Sequence, residues 1–107
     1  MTDKYNKLVR DRIPEIIMQQ GDVPAIEILG DADYCASLNK KLQEELDEYL
    51  QDYSVEELAD IVEVIYAIVR YNGISINDFE QIRLDKNAKR GSFDKRIALI
   101  EVARKPT

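Results

Sequence analysis

Two pairs of acidic residues, each with a spacing of three, are the part of the sequence best suited to chemistry. The first pair is Glu45 and Glu48, and the second is Glu57 and Asp60. Residues three apart on a helix lie on nearly the same face, so each pair can present two carboxylates together. Converging carboxylates repel one another, and the hard cations Mg²⁺ and Mn²⁺, which prefer oxygen ligands, relieve that repulsion. The spacing therefore predicts a divalent-cation site formed by these four carboxylates.

Other catalytic groups are scarce in this chain. It contains no His, which excludes imidazole bases, His-relayed triads and His-ligated zinc. Cys35 is the single cysteine, so the chain can form neither an intramolecular disulfide nor a thiolate cluster. An enzyme built on this sequence must therefore use carboxylates, Lys, Arg, hydroxyl groups or a metal ion.

Two helices joined by a short turn must position the acidic pairs. A helix over residues 31–52 is predicted by apolar side chains at three- and four-residue spacing: Leu38, Leu42, Leu46, Tyr49 and Tyr53. Ser54 followed by Glu57 is a capping-box pattern, which predicts the start of a second helix at residue 55. This helix is predicted to run to Asn72, with Gly73 just beyond its end.

Two of the carboxylates fall on helix faces that are otherwise apolar. At about 100° per residue, Glu45 lies inside the edge of the apolar stripe of its helix. Asp60 shares its face with Val64 and Ala67, four and seven residues further on. Because carboxylates are rarely buried without a partner, these two positions favour a functional site.

Structural roles compete with this interpretation. Glu57 occupies the capping-box position relative to Ser54, which explains that residue without any ligand. Glu44, Asp47 and Glu63 fit charges on the solvated faces of their helices. The carboxylate pairs therefore leave a site and a charged helix surface both open at this point.

The C-terminal third of the chain is basic. Lys86, Lys89 and Arg90 fall in the last turns of a helix predicted to open at Ser75 and to end before Gly91. Cations there either compensate the helix dipole or bind phosphate, Lys as a point charge and Arg as a planar fork. Three basic residues near the N-terminus can add to a phosphate clamp or serve solubility alone: Lys7, Arg10 and Arg12.

Length and pattern predict a single all-α domain over residues 1–107. The expected architecture is an antiparallel bundle of four to five helices, the first of them short and within residues 7–20. Pro14 near its first turn and Gly21 after its end support that helix. Residues 25–29 and 96–103 alternate well enough to predict a small two-stranded β flap.

Charge and hydropathy limit the kinds of partner that we expect for this protein. The net charge of −6 argues against nucleic-acid binding, and no apolar run approaches the roughly 20 residues of a membrane span. With no secretory signal at the N-terminus, we expect a soluble cytoplasmic protein. Residues 61–69 are apolar nearly all round the helix, so we expect a homodimer with this helix at or near the interface.

Three motifs, in order, resemble the MazG-like proteins of the all-α nucleoside triphosphate pyrophosphohydrolase superfamily. Residues 7–17 (KLVRDRIPEII) are similar to the opening of a bacterial and phage subgroup. The pairs Glu45–Glu48 and Glu57–Asp60 match the E-x-x-E and E-x-x-D pattern of the superfamily. Residues 86–93 (KNAKRGSF) are similar to the K-x-x-[KR]-R-G-x-F motif of the subgroup. The resemblance covers residues 5–97.

The resemblance implies an Mg²⁺-dependent enzyme that cleaves a nucleoside triphosphate between its α and β phosphates. The products are a nucleoside monophosphate and pyrophosphate, and a role in removing non-standard nucleotides fits this activity. The implied metal ligands are the four paired carboxylates, with Mn²⁺ as a second suitable ion. Glu44 or Glu45 would position or deprotonate the attacking water, while Lys86, Lys89 and Arg90 would bind the phosphates. A homodimer or higher homo-oligomer is also implied.

Two non-enzymatic interpretations of the acidic helices are also consistent with the sequence. A helical dimer can bind a nucleotide or a protein partner through the same acidic groove without catalysis. A helical adaptor with no ligand would tolerate replacement of the carboxylates by amides. The aromatic side chains are candidate walls for a base and equally candidates for the core: Tyr34, Tyr49, Tyr53, Tyr66, Tyr71 and Phe93.

Overall fold

The computed structural model describes residues 1–106 and is all-helical. Its elements, in chain order, are α1 (Ile13–Gln19), α2 (Asp31–Asp52), α3 (Val55–Tyr71) and α4 (Ile76–Arg90). The predicted all-α class is therefore confirmed, with four helices. The chain forms two compact units, Met1–Ser75 and the residues from Ile76 onward. The assignment of residues 1–107 to a single domain stays a prediction.

A two-residue turn folds α2 back against α3, and these are the packed helices of the first unit. Tyr53 takes a left-handed conformation (φ 54°) and donates its backbone N–H to the carbonyl of Tyr49. Ser54 then caps α3, because its hydroxyl accepts the backbone N–H of Glu57 at 3.3 Å. The predicted end of α2 and the predicted start of α3 are both confirmed.

The C-terminus of α3 is closed by a glycine, as the sequence predicts. Gly73 has φ 77° and donates its backbone N–H to the carbonyl of Arg70 at 2.9 Å. The backbone N–H of Ile74 reaches the carbonyl of Val69 at 3.2 Å, which completes a Schellman motif. Pro14 lies in the first turn of α1, and this short helix ends before Gly21.

The buried centre of the α2–α3 pair is small. Leu38 comes from α2, while Val64 and Val69 come from α3. Elsewhere on α3, Leu58 and Val62 remain 41% and 44% exposed. The described chain therefore leaves part of the apolar surface of this helix uncovered.

The predicted β flap is wrong: over the described residues, neither 25–29 nor 96–103 forms a strand. Arg96 adopts a left-handed conformation (φ 60°) and donates its backbone N–H to the carbonyl of Phe93, a turn that is incompatible with the start of a strand. Most apolar side chains of both segments are exposed, Ile28 and Leu99 among them, while Leu29 is half-buried. Two short strands alone are marginal in water, because they have no packed face to bury.

The second unit contains α4 and the irregular residues that follow it. Lys89 and Arg90 lie in the last turn of α4, and Gly91 follows with φ 81°. This helix has the predicted boundaries. Across residues 1–106, no helix combines the length and the apolar character that crossing a membrane requires.

Candidate metal centre

Glu45 is a buried carboxylate in the middle of α2. The residue is 6% exposed, and its Oε1 lies 3.2 Å from the ammonium nitrogen of Lys41, one turn earlier. Its Oε2 is buried and has no hydrogen-bond partner among the described residues. A buried oxygen left in this way is costly, and Oε2 has unused capacity to accept a hydrogen bond or to bind a cation.

The first turns of α3 bring two more carboxylates to Glu45. One oxygen from each of Glu45, Glu57 and Asp60 lies within 4.8 Å of the others. We call these three residues the carboxylate cluster. Glu57 Oε2 is also buried, and nothing in the described chain forms a hydrogen bond with it. The tight turn at Tyr53–Ser54 produces this arrangement, because it places the start of α3 beside the C-terminal half of α2.

The remaining two acidic candidates lie beside the cluster. Glu48 is half-buried and is outside the three residues whose oxygens converge. Glu44 is half-buried as well, and its Oε1 lies 3.4 Å from the ammonium nitrogens of both Lys7 and Lys41. The structure thus brings together three of the four predicted metal ligands and binds Glu44 to two cations.

The pKa of Glu45 reflects its surroundings. Burial raises it above the ordinary value, and the neighbouring charges of Glu48 and Asp60 raise it further, against the opposing effect of Lys41. Burial would also raise the pKa of Glu44, but Lys41 and Lys7 outweigh it and hold that pKa below the usual value. The two neighbouring carboxyls therefore differ in opposite directions from an ordinary glutamate.

The N-terminal segment (residues 7–11) supplies cations to the acidic helices. Arg10 Nη2 lies 2.6 Å from Asp60 Oδ1, and Lys7 pairs with Glu44. Sequence reasoning assigned these basic residues to phosphate or to solubility and missed both ion pairs. No spacing rule connects positions 50 residues apart. The role of Lys41 was also missed, although its position four residues before Glu45 is a recognisable helical ion-pair spacing.

A groove of about 510 Å³ runs beside the cluster, between the N-terminal segment, α2 and α3. Its acidic end includes Glu45 and Asp60. Its walls also carry apolar, aromatic and basic side chains and two further acidic ones: Leu8, Val9, Arg10, Asp11, Tyr34, Leu38, Lys41, Glu63, Val64, Ala67, Arg70 and Tyr71. The rings of Tyr34 and Tyr71 meet edge to face at 5.8 Å. Of the aromatic candidates, these two line the groove, whereas Tyr49 and Tyr53 pair with each other.

The predicted phosphate-binding residues lie in the second unit. Lys86, Lys89 and Arg90 are on the last turns of α4, and all three are exposed. Cations at this end of a helix interact favourably with its dipole. Their position is therefore explained structurally, and their part in phosphate binding stays a prediction.

The donor set of the cluster suits a hard divalent cation. All three residues offer carboxylate oxygens, the ligand type that Mg²⁺ and Mn²⁺ prefer. Two buried oxygens that lack a hydrogen-bond partner within the described chain, Glu45 Oε2 and Glu57 Oε2, supply unused acceptor capacity on these residues. Charged clusters without an ion are common, but their oxygens are seldom buried and unpaired.

Comparison with known proteins identifies one local similarity. No family model and no solved structure matches the chain. Over 42 residues it is 52% identical to an uncharacterized protein of Mycolicibacterium smegmatis (strain ATCC 700084 / mc(2)155). The matched stretch is 39% of this chain and 43% of the relative, so it covers less than half of either protein.

Proposed function

We propose that this protein is a MazG-like nucleoside triphosphate pyrophosphohydrolase that depends on Mg²⁺ and releases a nucleoside monophosphate and pyrophosphate. The observation that carries the proposal is the convergence of Glu45, Glu57 and Asp60, with two buried carboxylate oxygens that have no hydrogen-bond partner among residues 1–106. Two sequence motifs outside the cluster, at residues 7–17 and 86–93, resemble the superfamily and support the proposal as well.

In this proposal the carboxylate cluster holds Mg²⁺ or Mn²⁺, and Glu48 contributes from its half-buried position alongside. When bound, such an ion lowers the pKa of a coordinated water and offsets the charge of the phosphates. Burial raises the pKa of Glu45, which supports a role for this carboxylate in positioning or deprotonating the attacking water. Glu44, with its lowered pKa, stays ionised and can orient a water by accepting a hydrogen bond.

The groove offers complementary surfaces for the rest of the substrate. Lys41, Arg10 and Arg70 line it and provide positive charge for a triphosphate. The Tyr34–Tyr71 ring pair provides an aromatic wall for a base. A volume of about 510 Å³ is within the range of small-molecule sites. Following the resemblance, we also assign the basic residues of α4 to phosphate binding.

A homodimer or higher homo-oligomer is part of the proposal. Leu58 and Val62 on α3 keep more than two-fifths of their surface exposed, and so does Leu50 on α2. A second copy of the chain can cover such a surface, and twofold dimers are the commonest homo-oligomers. Sedimentation equilibrium of the purified protein tests this point, since a monomer at micromolar concentration would contradict it.

Pyrophosphate release tests the proposed reaction. The protein is incubated with a panel of normal and modified nucleoside triphosphates in Mg²⁺, in Mn²⁺ and in EDTA. Metal-dependent release is expected from at least one substrate, and Asp60→Asn is expected to abolish it. Asp47→Asn is the matched control, because Asp47 lies on the exposed side of α2 and bonds to Gln43. Equal rates for Asp60→Asn and wild type would refute the site.

One observation favours a second candidate, a non-catalytic helical dimer that binds a nucleotide or a protein partner. Arg10 and Lys41 already supply counter-ions to the cluster, so the acidic groove can persist without a metal. Thermal unfolding separates the two functions. The enzyme is expected to be stabilised by Mg²⁺, whereas the binding module is expected to unfold at the same temperature with and without it.

A further inference from the structure

Arg10 forms an ion pair with Asp60, one member of the carboxylate cluster. Its Nη2 lies 2.6 Å from Asp60 Oδ1, the shortest ion pair between the N-terminal segment and the helices. Residues 8–11 line the same groove, so this pair fixes the segment beside the cluster. Asp60 therefore has a counter-ion that the chain itself supplies.

The charge balance changes when a divalent cation is added. The three carboxylates of the cluster carry three negative charges when ionised, and Lys41 and Arg10 return two positive charges. A divalent cation makes this set net positive while Arg10 stays in place, and neutral once Arg10 leaves. Repulsion between the cation and the guanidinium therefore acts on the contact between Arg10 and Asp60.

We propose that Arg10 is an intramolecular counter-ion which a divalent cation displaces from Asp60. This inference rests on the cation site of the proposed function. The side chains of Arg10 and Asp60 are 58% and 38% exposed, so the pair is a weak one that can exchange. Exposed pairs of this kind reduce the apparent affinity of a competing cation by no more than about fivefold.

Metal affinity provides the first test. Isothermal titration with Mn²⁺ is performed on the full chain as wild type, Arg10→Gln and Arg12→Gln. Arg10→Gln is expected to bind Mn²⁺ roughly two- to fivefold more tightly, because the ion no longer has a competitor. Arg12→Gln removes the same charge two residues away, where the side chain pairs with Glu15, and is expected to match wild type. Equal affinities for Arg10→Gln and wild type would overturn the proposal.

The position of the guanidinium provides the second test, independent of catalysis. The ¹⁵N-detected Nε–Hε signal of Arg10 is assigned by its loss in Arg10→Gln and followed during titration with Mg²⁺. Displacement predicts that Mg²⁺ moves this signal to the position it has in metal-free Asp60→Asn. A signal that stays at its metal-free position in saturating Mg²⁺ would overturn the proposal.

The two experiments separate failure of this inference from failure of the proposed function. If wild type binds Mn²⁺ but Arg10→Gln binds it equally and the Arg10 signal does not move, displacement is wrong and the cation site stands. If neither protein binds Mn²⁺ or Mg²⁺, the cation site is absent and both proposals fall.

Discussion

Replacement of Glu45 by Gln should have opposite effects on stability in the absence and in the presence of Mg²⁺. The side chain is buried, and its Oε2 has no hydrogen-bond partner in the part of the chain that the structure describes. An unsatisfied buried polar atom costs about 1–3 kcal/mol, and Gln removes the charge that makes this burial expensive. The amide oxygen of Gln can still accept a bond from Lys41, which also keeps Glu44 as a partner.

The size of the effect follows from these two contributions. In EDTA, the variant gains the about 1–3 kcal/mol that the buried charged oxygen costs and loses about 1 kcal/mol because its pair with Lys41 is weaker. Glu45→Gln should therefore be about 0–2 kcal/mol more stable than wild type. With Mg²⁺ at 100 times its Kd, wild type gains about 2.7 kcal/mol, and the variant gains little because a ligand is lost. At about 4–8 °C per kcal/mol, the wild-type melting temperature rises by roughly 10–20 °C.

Differential scanning fluorimetry in EDTA and in Mg²⁺ measures this crossover, with Asp47→Asn as a variant of equal charge change outside the cluster. Wild type and Asp47→Asn should both be stabilised by Mg²⁺. The reasoning is refuted if Glu45→Gln keeps the full rise in melting temperature with Mg²⁺. It is refuted equally if the variant is clearly less stable than wild type in EDTA.

Three further predictions concern the scaffold of the site. Leu38→Ala should lower the free energy of unfolding by about 2–5 kcal/mol in urea titrations, because Leu38 is buried, whereas Leu46→Ala at a more exposed position of α2 should cost clearly less. Ser54→Ala should cost about 1 kcal/mol by removing the cap of α3, and Ser54→Thr should restore most of it. Burial alone would raise the pKa of Glu44 in the folded protein, but the charges of Lys41 and Lys7 lower it by more. The folded pKa of Glu44 therefore lies below the ordinary value. Its contribution to stability is present above the ordinary Glu pKa and is lost as pH falls through the folded value. Glu44→Gln should therefore reduce the loss of stability on acidification, measured by urea titration from pH 7 down to pH 3.

The helix boundaries were predictable because their signals are local. Ser54 lies three residues before Glu57, and Gly73 follows α3 at the position that a left-handed residue must occupy. Each signal involves backbone groups within a few residues, so no tertiary information is required. The prediction of the β flap was wrong for the opposite reason. Strand formation depends on a pairing partner and on the local backbone, here the turn at Arg96, and the alternation of apolar residues encodes neither of them.

The candidate site was predictable where helix geometry determines it. The burial of Glu45 follows from its place at the edge of an apolar stripe, and the turn after α2 brings Asp60 close to it. Helical phase alone did not separate Glu48 from the three converging residues, because small rotations of α2 decide which oxygens meet. The pair of Arg10 with Asp60 depends on the path of an irregular segment, which has no periodicity to read.

The most direct test of the central claim is ³¹P NMR. A nucleoside triphosphate that releases pyrophosphate in the panel assay is incubated with the protein in Mg²⁺. The proposed function predicts the growth of pyrophosphate and nucleoside monophosphate signals in equal amounts, their absence in EDTA and their absence with Asp60→Asn. Orthophosphate and nucleoside diphosphate as products, or identical time courses for wild type and Asp60→Asn, would contradict it.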